Sequence, residues 1–75
     1  MSETRLERKQ FGETIRNARQ AKGLTQKQLG ELCGYEGATG EAHVRRWELE
    51  VRPVPIDRLR RLCAALDLPL DALIP

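Results

Sequence analysis

The sequence predicts an all-α fold, with five helices in one compact bundle. Three observations carry that expectation. Apolar residues recur at helical spacing in Phe11, Ile15 and Ala18, in Val44 and Trp47, and in Leu59, Leu62, Cys63 and Leu66. Helix-starting and helix-stopping residues separate these stripes, among them Thr25, Gly23, Gly34, Pro55 and Pro69. No strand alternation, internal repeat or low-complexity tract interrupts the pattern. The 75 residues are expected to form a single domain, 1–75, with residues 1–4 flexible.

The first helix is expected to open at Thr4. Thr4 and Glu7 fit a capping box, a hydroxyl followed three residues later by a carboxylate. The helix runs to about Ala21, and Gly23 suits the left-handed residue that follows a helix end. Gly12 in its interior costs about 1 kcal/mol relative to alanine. Thr25 caps the second helix, and Gln28 completes a second capping box. Leu29 and Leu32 are expected to point inward. Gly30 would let another helix approach closely, and Gly34 is the natural stop. Tyr35–Gly40 contains two glycines and is expected to be a loop. Thr39 is then the cap of a third helix, from about Gly40 to Leu49. The segment 51–55 must be a connector, because Pro53 and Pro55 cannot both sit inside a helix. Pro55 suits the first turn of the fourth helix, and Asp57 complements its dipole. Pro69 breaks that helix and starts a short fifth one carrying Leu70, Leu73 and Ile74.

The net charge of +2 is too small to identify a partner, but its distribution is biased. No acidic residue lies between Glu13 and Glu31, whereas Arg16, Arg19, Lys22 and Lys27 do. Arg45, Arg46 and Arg52 form a second basic group. A domain with one nucleic-acid-facing side needs such a bias. Arg58, Arg60 and Arg61 read as a solvated face, with Arg58 or Arg61 as a minor candidate for a phosphate contact. Cys33 and Cys63 sit beside leucines and read as small core residues in a reducing cytosol, with a disulfide as the alternative. With His43 they lack paired metal-ligand spacing, so no metal site is expected. The N-terminus has no apolar signal region, and no stretch nears the roughly 20 apolar residues that span a bilayer. A cytoplasmic protein without a membrane partner is therefore expected. No nucleophile has a partner motif and no phosphate-binding glycine loop is present, so neither an enzyme nor a cofactor is expected.

Residues Thr25 to Gly34 form a short helix and a tight glycine turn. Val44-Arg45-Arg46-Trp47-Glu48 lies on the next helix. Two helices joined steeply by such a turn make a helix-turn-helix, here about 25–49, whose second helix can enter the DNA major groove. Val44 and Trp47 share its inner face, leaving His43, Arg45 and Arg46 to point elsewhere. An arginine fork matches guanine O6 and N7. Arg46 is expected to read a base, and Arg45 a base or a phosphate. Thr25, Lys27 and Arg52 are phosphate candidates, and Gln26 can also donate to phosphate. Glu41 could accept from cytosine N4, and His43 could donate or accept.

Several words together resemble a known family: Ile15-Arg16 with Arg19, then Gly23-Leu24-Thr25-Gln26 leading to Leu29-Gly30, then Val44-x-x-Trp47-Glu48, then Leu59 to Leu66 and Leu70 to Leu73. From Phe11 to Ile74 the chain is similar to the Cro and Xre-type helix-turn-helix repressors of phages and bacteria. The resemblance implies a five-helix, lambda-repressor-like domain. It implies a homodimer that binds a palindromic operator in double-stranded DNA and represses its own promoter. It places Gln26 at a phosphate or base edge and pairs Arg19 with Glu48. It puts the base-reading positions on Glu41, Ala42, His43, Arg45 and Arg46.

The chain departs from that pattern at three places. The stretch from Gly34 to Trp47 is longer by about four residues, so either the turn is extended or the third helix gains an N-terminal turn. Gly30 replaces the usual alanine, and Glu50 stands where a glycine is common. The apolar residues Leu68, Leu70, Leu73 and Ile74 exceed what a short helix buries alone, so the dimer contact is expected there. The alternative function is an antitoxin or adaptor of the same fold whose main partner is a small protein.

Overall fold

The computed structural model describes the backbone of residues 2–73 and the side chains of residues 11–73. Four α-helices are followed by one 3₁₀ turn: α1 (Ser2–Ala21), α2 (Gln26–Leu32), α3 (Gly37–Glu48), α4 (Ile56–Leu66) and the turn Leu70–Leu73. No strand occurs among the described residues. The expected fifth helix is thus only a 3₁₀ turn. The Ala72 amide donates to the Pro69 carbonyl at 3.0 Å, the i→i+3 bond of a 3₁₀ turn.

α1 begins at Ser2, so Thr4 lies inside the helix and residues 2–4, expected to be flexible, are helical. The side chains of the Thr4–Glu7 box and all of Met1 lie outside the described residues. α1 ends as expected, with Gly23 at φ 71°. α2 carries the complete capping box: the Gln28 amide donates to Thr25 Oγ1 at 3.0 Å, and the Thr25 amide donates to Gln28 Oε1 at 2.9 Å.

α3 starts three residues earlier than expected. Its N-cap is Glu36, with no side-chain capping bond, and Thr39 sits within the helix. Most of the expected loop is therefore an added N-terminal turn. The physical reason is the crossing with α2. Gly40 is buried against Gly30 so closely that a Cβ on Gly30 would stand 2.5 Å from the Gly40 carbonyl carbon. This crossing supports helical backbone where the local sequence favours a loop. The C-terminal end of α3 meets α1 in the same manner. A Cβ on Gly12 would come within 2.9 Å of Glu50 Cγ. Glu50 takes φ 59°, the left-handed conformation that glycine adopts easily, and its carboxylate accepts from the Gly12 amide at 2.9 Å.

The core contains Ile15, Leu29, Cys33, Val44, Trp47, Leu62, Cys63, Leu66 and Leu73. Phe11, Ala18, Leu24 and Leu59 pack partly buried around it. Leu32 does not point inward; it is 53% exposed. The buried stripe of this segment is Leu29, Gly30 and Cys33, and Leu32 points roughly 100° around the helix from its middle. Leu73 also differs from its expected place in a dimer contact. It is 5% exposed, because the 3₁₀ turn folds back against α1 and α4. Leu68 is half-buried against the core, Leu70 is 41% exposed, and Ile74 lies outside the described residues. Both cysteines are buried free thiols. Burial pushes the Cys33 thiol from 9.0 up to about 11, against the smaller opposing pull of Arg58 and Arg61. Burial raises the Cys63 thiol as well.

Candidate nucleic-acid interface

α2 and α3 share the most extensive packing of any helix pair, and between them they carry most of the candidate residues. The inner face of α3 is Gly40, Val44 and Trp47, all buried. The spacing i, i+3, i+4, i+7, i+8 places Ala38, Glu41, Ala42, Arg45 and Arg46 on the opposite face. Of these, Ala38, Glu41, Arg45 and Arg46 are exposed and Ala42 is half-buried. The exposed residues on this face form no intramolecular ion pair among the described residues. An outward helix face with two adjacent unpaired arginines can offer two donor forks to an acceptor-rich edge.

The sequence alone predicts Ala38 in a loop and Thr39 at a helix cap. Both are exposed and belong to the first turn of α3, where a recognition helix makes its base contacts. Glu36 supplies no side-chain capping bond, so no local signal marks the true helix start. The nearest hydroxyl, Thr39, suggests a start three residues too late.

His43 lies on the flank of the helix. Its ring stacks on Tyr35, with centroids 4.3 Å apart and planes 22° apart. The Arg58 guanidinium lies 4.5 Å from the Tyr35 ring centroid, and Arg58 Nη1 donates to the Cys33 carbonyl at 3.0 Å. Arg58 is therefore not on a solvated face. It clamps the turn between α2 and α3 by cation–π contact and by capping the C-terminal end of α2. One face of His43 is thereby occupied.

At the other end of α3, Glu48 gathers α1 and α2. Arg19 Nε donates to Glu48 Oε2 at 2.6 Å, and Arg19 Nη2 to Oε1 at 3.3 Å. Arg19 Nη1 donates to the Leu24 carbonyl at 2.9 Å. The Gln26 side-chain amide donates to Glu48 Oε1 at 3.1 Å. Gln26 is thus half-buried and engaged, which anchors the N-terminus of α2 beside the C-terminal end of α3. Thr25 and Lys27 flank it and are exposed, and Arg52 is exposed in the connector that follows α3.

The described residues contain no group of three or more His, Cys, Asp or Glu placed to hold a metal. No helix among them is long and apolar enough to cross a membrane. Searches of curated proteins and of solved structures find no match. A comparison with protein-family models does find one: the helix-turn-helix model matches residues 15–73, from the middle of α1 to the end of the 3₁₀ turn. With that match over most of its length, the chain belongs to the helix-turn-helix family of DNA-binding regulators.

Proposed function

We propose that the protein is a sequence-specific transcriptional repressor that binds an inverted-repeat operator as a homodimer. The observation that carries this reading is the outer face of α3, where Arg45 and Arg46 stand exposed opposite the buried Val44 and Trp47. Arg46 reads a guanine edge, and Arg45 reads a base or an adjoining phosphate. Glu41 accepts from a cytosine amine, and Ala38, Thr39 and Ala42 approach the bases from the N-terminal half of α3. His43 contributes from the flank, with one face of its ring stacked on Tyr35. Thr25, Lys27 and Arg52 hold phosphates and set the register, and Gln26 offers the remaining part of its amide.

One α3 reads few base pairs. Two-fold pairing doubles the site, with half-sites about 34 Å apart along the duplex. Among the described residues of the expected dimer contact, Leu70 is exposed, with the half-buried Leu68 beside it. Such a regulator would work in the bacterial cytoplasm, at its own promoter.

The test is selection from random duplex DNA at near-physiological salt, with wild type and Arg46→Ala side by side. An inverted repeat bound at nanomolar to tens of nanomolar is expected, with preference relaxed at one position per half-site in the variant. Weak, salt-sensitive binding with no enriched motif would overturn the reading.

A further inference from the structure

Away from α3, an open groove of about 410 Å³ runs between α2 and α4, lined by Glu31, Leu32, Gly34, Arg61, Ala64 and Ala65. Its floor is apolar. Leu32 is half-exposed there, and the small side chains of Ala64 and Ala65 leave the space open. Its basic side is built over Gly34. A Cβ on Gly34 would collide with Arg61 Nη1 and stand 2.6 Å from Arg58 Nη1, so two guanidinium groups converge on one spot. Arg58 spends one donor on the Cys33 carbonyl. Neither arginine has a carboxylate within 4.0 Å among the described residues. Two like charges this close repel, and a carboxylate accepting from both converts the repulsion into attraction.

We propose that this groove docks an acidic, aliphatic segment of another protein, with a leucine-like side chain on the Leu32–Ala64–Ala65 floor and a carboxylate held by Arg58 and Arg61. The charge pattern favours a protein over a nucleic-acid backbone. Glu31 shares the rim and repels a run of phosphates, whereas a segment with one acidic residue and a neutral or basic neighbour suits both charges. The apolar floor has no use for a sugar–phosphate chain. The lining takes no residue from α3 or from the N-terminus of α2, and Arg58, which lies beside it, is joined to α3 only through the Tyr35 ring.

The experiment selects peptides from a random displayed library against the full chain. Enriched peptides are then measured by fluorescence anisotropy against wild type, Leu32→Asp and Arg61→Glu. Enrichment of Leu, Ile or Met at fixed spacing from Asp or Glu is expected. Each substitution should weaken binding by about tenfold or more while the melting temperature holds, since both side chains are exposed. A peptide carrying Lys in place of its acidic residue should regain affinity for Arg61→Glu. The proposal is overturned if no acidic–aliphatic motif emerges, or if binding is indifferent to both substitutions. It is also overturned if Arg61→Glu instead lowers DNA affinity and the steepness of its salt dependence, because the arginines would then belong to a phosphate contact.

Discussion

Arg19 and Glu48 join α1 to the C-terminal end of α3 through one ionic contact. Their side chains are 12% and 4% exposed, and Glu48 also receives the Gln26 amide. Removing either partner leaves the other charge largely shielded from water without its counter-ion. Arg19→Ala or Glu48→Ala should lower unfolding free energy by about 3–5 kcal/mol, read from urea denaturation. At the proposed reading face of α3 the expectation is reversed. Arg46→Ala should leave the urea midpoint nearly unchanged and weaken operator binding by about 1–3 kcal/mol, concentrated at one base position. Cys33 gives a pH prediction. Its folded value of about 11 lies above its ordinary 9.0, so the folded state holds the proton more tightly. The stability it contributes is full below pH 9 and falls as pH rises from 9 towards about 11. A thiol reagent at neutral pH should label it only on the unfolding timescale, as mass spectrometry would show.

Among the elements, α3 depends most on its neighbours. Its added first turn rests on the Gly30–Gly40 crossing and on the Arg58–Tyr35–His43 stack rather than on a cap of its own. Gly30→Ala would drive a methyl group into the Gly40 backbone. The substitution should cost about 1–3 kcal/mol and also weaken DNA binding, because α3 must shift to relieve it. Calorimetry together with operator titration would register both losses. Alanine is usual at this position in the resembled family, whereas here its methyl group would meet the Gly40 backbone. α2 is the opposite case. Its start, capping box and glycine stop were legible in the sequence, because each is a contact between residues three or four apart.

At the scale of the whole molecule, the 3₁₀ turn closes the core instead of offering all its apolar residues to a partner. Leu73→Ala should lower unfolding free energy by about 2–5 kcal/mol, independent of protein concentration. A loss that appears only on dilution would assign Leu73 to a subunit interface instead. The exposed cations proposed to hold phosphates should act collectively. Lys27→Ala and Arg52→Ala should each reduce the slope of log affinity against log salt by about 1, without changing the preferred sequence.

The sequence by itself determined the helical class, the Thr25–Gly34 helix and turn, the inward Val44 and Trp47, and therefore the outward Arg45 and Arg46. All of these follow from local capping chemistry or from helical periodicity. The tertiary structure alone decided where α3 begins, that Leu73 faces inward and Leu32 outward, and that Arg58 covers Tyr35 rather than solvent. Each of those outcomes depends on an approach between segments far apart in the chain, such as Gly30 on Gly40 or α4 on the turn after α2. The spacing of residues within one segment carries no record of such approaches.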